Sequence, residues 1–468
     1  MIKKFLLLSL VASQLMISCS SDDSPETTDP VVVDPPKELT LEEEIALIVK
    51  QPYSNLTPAQ QKLKLETEAN DMLVQLDKSK SSGAIEAIEN LGRLFSLKHI
   101  DLFDGKSDNG VSEVLNISGV YGIYTWNSTQ KIWVKTPSTT ELKFVFPAKQ
   151  SQTTNTATLS SKSTSSTIKF SNIDTYGSWY YDGETEEYIN TPSVQDWFYL
   201  PTAVDATLTI DGNQSATLAS TAKYASNKSP EDYTYKVTLN DGYTWEMSGK
   251  KGTQTTSKAS FTYNAKNLLE FNFGSTADID GLINNPELAQ YRGKANGLVR
   301  ILDNFVIFAE TDLVATTNDD AALDKTVVSP NQPDFSDPKA DFKAYYTAEN
   351  TYRQKYSAGT AANFNKNSKL ILVSKKDGTK IADIVVRSEK STDSYSFYLP
   401  VWYAYGDGNG FWQSTEEGEL FTEAYYDEVY YLKFNDNTEV AMEVYFSEGF
   451  ENLNTKFQDF FNSFNKQQ

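Results

Sequence analysis

Residues 233–247 read YTYKVTLNDGYTWEM, and this stretch carries the clearest structural signal in the chain. Apolar and polar residues alternate on both sides of Asp241-Gly242. A period of two is typical of a half-buried β-strand, and Asp-Gly between two such runs is the strongest short-range signal of a β-hairpin. Residues 206–224 and 259–273 extend the alternation. The region is therefore predicted to form an antiparallel meander with one buried face and one polar face rich in Thr, Ser and Lys.

The chain before this meander has a helical period. Thr40-Leu41-Glu42-Glu43 has the pattern of a helix capping box, and Thr57-Pro58 places proline at the first position of a second helix. Residues 85–95 fit a third, short helix. Because short helices are marginal by themselves in water, we expect these to pack on the sheet.

After the meander the pattern changes several times. We predict a helical insert at 285–290 and 296–308, a Pro-containing loop at 315–340 and a helix at 345–364. Strands are predicted at 370–373, 381–387, 394–403, 429–434 and 440–446. A C-terminal amphipathic helix is predicted from apolar residues spaced three and four apart, namely Phe450, Leu453, Phe457, Phe460 and Phe464. Its apolar stripe is interpreted as core contact, with a partner groove as the alternative.

Together these patterns predict an α+β fold made mainly of antiparallel β-meander sheets, with an N-terminal helical segment, a helical insert and a C-terminal amphipathic helix. The chain of 468 residues is long enough for about three domains. The predicted divisions are a signal peptide at 1–18, an acidic tether at 19–38, a helical segment at 39–109, an antiparallel β domain at 110–275 and an α+β domain at 276–468.

Composition excludes several classes of function. The formal net charge of −21 repels nucleic acid, so no nucleic-acid partner is expected. His99 is the single histidine and Cys19 the single cysteine, which excludes a disulfide within one chain and any site that needs two imidazoles. The sequence has no Gly-x-Ser-x-Gly elbow and no phosphate-binding glycine loop, and we expect no cofactor.

The first residues have the pattern of a secretory signal. Lys3 and Lys4 precede an apolar stretch at 5–15 that is too short to span a bilayer as a helix. Met16-Ile17-Ser18-Cys19 follows and resembles the lipobox of bacterial lipoproteins. This resemblance implies cleavage just before Cys19 and a diacylglyceryl group on its sulfur. An ordinary cleaved signal, with Cys19 as an incidental thiol, is the alternative.

The residues after Cys19 are acidic and rich in serine. Ser20-Ser21-Asp22-Asp23 resembles the surface-export signal of lipoproteins from the Bacteroidota, and a flexible spacer is the alternative. The resemblance covers residues 1–23. It implies a lipid-anchored protein on the outer face of the outer membrane, often beside a TonB-dependent transporter or another barrel. Residues 20–38 contain four prolines and are predicted to form an extended stalk.

The strongest candidate for a ligand site is residues 402–412, WYAYGDGNGFW, where a strand leads into a Gly-rich loop with aromatic residues on both sides. Exposed Trp and Tyr rings commonly contact the apolar faces of sugars, while carboxylates and amides bind the hydroxyl groups. The predicted binding residues are Trp402, Tyr403, Tyr405, Asp407, Asn409 and Trp412, with Glu416 and Glu417 as further polar candidates. The alternative is a hairpin whose strands half-bury the two tryptophans.

Other candidate sites are weaker. In WYYDGE at 179–184, Asp182-Gly183 predicts a hairpin tip flanked by strand aromatics, with a second ligand patch as the alternative. His99 is predicted at the end of a helix. A metal site would need oxygen ligands and hence calcium. No metal is predicted because two acidic clusters lack the spacing of a calcium loop: Asp104, Ser107, Asp108, Asn109 and Glu113 in one, and Asp278 and Asp280 in the other.

Three functions are compatible with these features. The first is a non-enzymatic surface lipoprotein that acts as a binding or accessory component of an outer-membrane complex. The second is a glycan-binding lipoprotein of a polysaccharide uptake system, which requires Trp402 and Trp412 to be exposed. The third is a carboxylate-using glycoside hydrolase, since 63 Asp and Glu residues offer many pairs.

Overall fold

The computed structural model describes residues 40–79, 82–100, 102, 115, 117–175, 178–191, 194–225, 230–277, 292–302, 304–406, 409–447, 450 and 455. Strands make up 49% and helices 24% of these described residues. Sixteen strands form one large sheet, and two further hairpins form small two-stranded sheets. The prediction of a mixed, mainly antiparallel β fold is confirmed.

The strands are β1 (Gly122–Asn127), β2 (Ile132–Thr136), β3 (Leu142–Phe146), β4 (Ala157–Thr175), β5 (Ser178–Asp182), β6 (Glu187–Thr191), β7 (Val194–Ile210), β8 (Asn213–Tyr224), β9 (Pro230–Leu239), β10 (Tyr243–Lys250), β11 (Thr255–Tyr263), β12 (Lys266–Ser275), β13 (Lys294–Ile301), β14 (Phe305–Asp312), β15 (Ser368–Ser374), β16 (Thr379–Tyr398), β17 (Pro400–Ala404), β18 (Gly410–Ser414), β19 (Leu420–Lys433) and β20 (Glu439–Ala441).

The helices are α1 (Leu41–Val49), α2 (Pro58–Ser79), α3 (Gly83–Leu97), α4 (Leu313–Thr326), α5 (Phe342–Asn367) and α6 (Met442–Tyr445). The capping box before α1 is formed, because the Thr40 and Glu43 side chains each bind the other residue's backbone N–H. The predicted helical segment is thus confirmed over α1 to α3, and the predicted helix at 345–364 lies within α5. Within the described part of the chain, no helix is both long and apolar enough to cross a membrane.

Strand order in the large sheet follows the chain apart from the two hairpin insertions and one exchange at the β2 end: β2-β1-β3-β4-β7-β8-β9-β10-β11-β12-β13-β14-β15-β16-β19-β20. The β1–β3 pair is parallel, whereas β9 and β10 pair antiparallel around Asp241-Gly242. Gly242 has a φ of +100°, a backbone angle that residues other than glycine rarely adopt. The hairpin prediction is therefore confirmed.

The antiparallel order places the connections on two opposite edges of the sheet. From β4 to β19 every neighbouring pair is antiparallel, so strand direction alternates at each step. One edge, the turn edge, holds the short connections 211–212, 240–242, 264–265, 302–304 and 375–378. At the other, the insertion edge, β4, β12, β14 and β16 end and β7, β13, β15 and β19 begin after longer stretches of chain. Connections on a rigid scaffold commonly carry binding residues, so a binding site is expected at the insertion edge.

Helices cover the two ends of the sheet. α3 packs its buried side chains against β1, β3, β4, β7 and β8. At the opposite end, α1 lies on one face of the sheet, whereas α2 and α5 pack in a second cluster. Adjacent residues of β15 therefore pack on opposite faces of the sheet. Leu370 and Leu372 pack in the cluster of α2 and α5, and Ile371 and Val373 pack with α1.

The predicted helix at 296–308 is wrong, because these residues form β13 and β14. Burial on both faces is the physical reason. Val306 and Phe308 pack with α1, while Phe305 and Ile307 pack in the cluster of α2 and α5. A strand covered on both faces has no polar alternation, and its apolar run resembles a buried helix. The other half of the predicted insert, 285–290, lies outside the described residues.

Two further corrections concern the second half of the chain. The loop predicted at 315–340 is wrong over α4. This helix is capped by Asp312, because the Asp312 side chain accepts a hydrogen bond from the Ala315 N–H. The strand predicted at 440–446 ends at Ala441, and α6 follows because a helical turn buries both Met442 and Tyr445.

The C-terminal helix predicted at 450–464 falls, apart from residues 450 and 455, outside the described residues. The boundary predicted at 275/276 separates β12 and β13, which pair side by side in the sheet; the division into domains stays a prediction.

The segment between α1 and α2 is held on the turn edge of the sheet. The Tyr53 backbone forms an isolated parallel β-bridge with Lys380 at the start of β16, and the Tyr53 hydroxyl donates a hydrogen bond to Asp383. The Lys380 ammonium lies 5.2 Å from the centre of the Tyr53 ring. Burial, together with the nearby Asp383 carboxylate, raises the pKa of Tyr53 to about 12.

This shift predicts a loss of stability at high pH. Below pH 10 the Tyr53 phenol is protonated in both the folded and the unfolded chain, whereas between pH 10 and about 12 the unfolded chain loses the proton first. The free energy of unfolding is therefore expected to fall across this range. In a Tyr53→Phe variant it should fall less steeply from a lower starting value, as measured by urea unfolding at a series of pH values. An unchanged slope in the variant would contradict the assignment.

Candidate functional site

Two small hairpins extend the longest strands of the sheet. β5 and β6 are inserted between β4 and β7, and β17 and β18 between β16 and β19. In the strand order, β4 and β16 are separated by an even number of antiparallel steps, so both run toward the insertion edge. Both hairpins therefore project from that edge, and both are rich in aromatic residues.

The hairpin of β5 and β6 presents three exposed rings on one face. Tyr181 pairs with Tyr188 and Trp179 with Asn190, and alternation places all four side chains on the same side of the hairpin. Trp179, Tyr181 and Tyr188 are 70%, 55% and 72% exposed. The Tyr181 and Tyr188 ring centres lie 5.3 Å apart. We call Trp179, Tyr181, Tyr188 and Asn190 the first aromatic face; none of them is charged.

The acidic residues of this hairpin lie elsewhere. Asp182 and Glu187 pair with each other on the opposite side, together with Tyr180. The Glu184 backbone N–H donates a 2.9 Å hydrogen bond to the Asp182 carboxylate. This bond, with further bonds from Thr185, holds the pKa of Asp182 below its usual range. Asp182 thus shapes the turn, as its place in the Asp182-Gly183 pattern predicts.

The hairpin of β17 and β18 turns its two tryptophans toward the body of the protein. Trp402 pairs with Trp412, and both are half-buried. The Trp412 ring lies 4.8 Å from that of Phe342 at the start of α5, and its Nε1–H donates a 3.0 Å bond to the Asp337 carbonyl. A side chain at Gly410 would meet the Trp402 ring at 2.5 Å, so glycine is needed beneath this ring. These contacts fix the position of the hairpin.

The opposite face of this hairpin points outward. Tyr403 pairs with Phe411, and the Tyr405 ring lies 5.5 Å from that of Phe411. Tyr405 and Phe411 are 57% and 40% exposed, and Gln413 is exposed on the same side. The Tyr403 hydroxyl donates a 2.9 Å hydrogen bond to Glu417. We call Tyr403, Tyr405, Phe411 and Gln413 the second aromatic face.

The geometry divides the residues predicted from 402–412 between these two sides. Tyr403 and Tyr405 belong to the second aromatic face, whereas Trp402 and Trp412 lie on the packed side. Asn409 serves the turn, because its carbonyl accepts a hydrogen bond from the Tyr405 N–H. Asp407 lies outside the described residues. Glu417 contacts Tyr403, and Glu416 is exposed.

Several residues of the two faces are not singled out by the sequence patterns. Tyr188 and Asn190 lie on the strand after the Asp182-Gly183 turn. Extending the hairpin register from that turn pairs them with Tyr181 and Trp179, and this pairing is the sequence signal that identifies them. Phe411 lies within the predicted stretch, and Gln413 follows it by two residues. Cys19 and Ser20, Ser21, Asp22 and Asp23 lie outside the described residues, so the lipid and export sites stay predictions.

A metal ion within the described ranges would need several ligating side chains close together. No group of three His, Cys, Asp or Glu side chains there could hold a metal ion. The two acidic clusters considered for calcium, around residues 104–113 and 278–280, lie outside those ranges. His99 is exposed two residues after the end of α3.

Comparison with protein-family models, with curated proteins and with solved structures produced no match.

Proposed function

We propose that this chain is a non-enzymatic, lipid-anchored surface protein that binds an uncharged glycan through its first aromatic face. The observation that carries the proposal is the row of Trp179, Tyr181 and Tyr188, three rings exposed side by side on an uncharged hairpin face. Large exposed apolar groups of this kind usually mark a binding surface, because leaving them in water costs free energy.

A sugar chain fits this face better than a flat apolar partner does. Tyr and Trp combine an apolar ring with a polar group, so they can cover the C–H face of a sugar while their hydroxyl or N–H groups stay hydrated. The Asn190 amide can donate and accept hydrogen bonds to sugar hydroxyls. The face contains no carboxylate or ammonium that would pair with a charged sugar, and a protein of net charge −21 repels anionic glycans.

The first described helix, α1, contacts the turn edge of the sheet, opposite the edge that carries this face. The tether at 19–38 leads into α1, where Glu44 contacts Arg300 near the end of β13 and Lys375 in the turn between β15 and β16. Both partners lie at the turn edge. A chain anchored through Cys19 would therefore enter the folded body at the turn edge, and the aromatic hairpins lie at the opposite edge.

Replacing two rings of the first aromatic face tests the proposal. A Trp179→Ala/Tyr188→Ala variant is expected to lose at least about tenfold in affinity, since each ring contributes around 1 kcal/mol of contact. The measurement is affinity electrophoresis and calorimetry with a panel of soluble uncharged polysaccharides (a β-glucan, an α-mannan and a xyloglucan) and with anionic polygalacturonate.

Tyr180→Ala is the matched control, because Tyr180 lies on the same strand, is 52% exposed and points to the opposite face. It should bind like the unmodified protein. An equal loss in the control, a preference for polygalacturonate, or no binding to any member of the panel would overturn the proposal.

A further inference from the structure

We infer that the second aromatic face is a second contact site for the same uncharged glycan, so that one polymer chain is held at two points of the insertion edge. This inference rests on the proposed function of the first face. Its starting point is the shared chemistry of the two faces. Each consists of three aromatic rings and one side-chain amide on an acidic protein, and at the second face the Glu417 carboxylate also accepts a hydrogen bond from the Tyr403 hydroxyl.

The packing of the second hairpin supports a binding role for its outer face. Trp412 anchors the inner side against Phe342 and the Asp337 carbonyl, and Trp402 packs against the Trp412 ring. Lys343 of α5 also pairs with Glu419 at 2.6 Å. A hairpin held in this way keeps its outer rings in one place before any ligand arrives. Such preorganisation lowers the entropy cost of binding. The tryptophans thus act as positioning residues for Tyr403, Tyr405 and Phe411.

The topology places the two faces on one edge but far apart. β7 and β16 are nine strand steps apart in the sheet order, which at about 4.8 Å per step is roughly 40 Å measured along the sheet. A short oligosaccharide can touch one face only. A long polysaccharide can reach both, and the second contact then forms at a high effective concentration. The polymer should therefore bind more tightly than its own short fragments.

The test compares a polysaccharide that binds the unmodified protein with its trisaccharide. A Tyr405→Ala/Phe411→Ala variant is expected to bind the polymer about tenfold or more weakly, because the second contact is lost. By calorimetry, the trisaccharide should occupy two sites in the unmodified protein and one in the variant. Tyr395→Ala removes an exposed ring of β16 outside both faces and should change neither result. Circular dichroism and thermal unfolding verify that each variant folds.

The outcomes separate this inference from the proposed function. If the Trp179→Ala/Tyr188→Ala variant loses binding while the Tyr405→Ala/Phe411→Ala variant keeps full polymer affinity and stoichiometry, the second site is wrong and the first face stands. If only the second variant loses binding, the first face is wrong. Failure of the unmodified protein to bind any uncharged polysaccharide would overturn both.

Discussion

A Cys19→Ala variant is expected to leave the membrane fraction completely. If the lipobox is read by the cell, Cys19 carries the acyl chains that hold the protein in the membrane. Each buried methylene contributes about 0.8 kcal/mol, so two or more chains give stable attachment, and their loss removes all of it. The measurement is the distribution of the protein between soluble and membrane fractions after cell lysis.

Changing the neighbouring residues provides the control for this experiment. A variant with Ala at Ser20, Ser21, Asp22 and Asp23 keeps Cys19 and should stay in the membrane fraction. If the acidic stretch is a surface-export signal, this variant should also become resistant to protease added to intact cells. A Cys19→Ala protein that still sediments with membranes would refute the lipid anchor.

The sequence was sufficient to predict the elements that have one buried face and one solvent-exposed face. The alternation around Asp241-Gly242 identifies β9 and β10, and the Thr40–Glu43 capping box identifies the start of α1. Both signals are local, because a strand pair joined by a tight turn and a capped helix end are determined by residues close together in the chain. The same holds for the turn at Asp182-Gly183, which forms the β5–β6 hairpin as predicted.

The elements that depend on distant partners could not be predicted in this way. β14 buries apolar residues on both faces because α1 covers one side and a separate cluster the other, and neither layer is visible in the local pattern. The orientation of the 402–412 hairpin has a similar cause. Both of its faces carry aromatic rings, and the side that packs inward is decided by Phe342 and Asp337, about 70 residues earlier in the chain.

An Arg300→Ala variant is expected to lose about 2–4 kcal/mol of unfolding free energy. Arg300 on β13 donates to Glu44 of α1 at 2.5 Å and to Glu270 of β12 at 2.6 Å. All three side chains are at least four-fifths buried. Removing the guanidinium leaves two carboxylates close together with little water around them. Lys375 and Lys258, at 3.6 and 3.5 Å from these carboxylates, compensate in part.

Two comparison variants make this prediction specific to the buried ion network. Arg387→Ala also removes an arginine bound to a carboxylate, Glu439, but this pair is more exposed and its loss should cost no more than about 1 kcal/mol. Replacing the network with neutral groups, as Arg300→Met/Glu44→Gln/Glu270→Gln, should recover most of the stability lost in Arg300→Ala, because no unpaired charge remains buried. Urea unfolding of the four proteins measures these differences. Equal losses for Arg300→Ala and Arg387→Ala would show that the network does not hold α1 on the sheet, and the tether would then join the sheet through some other contact.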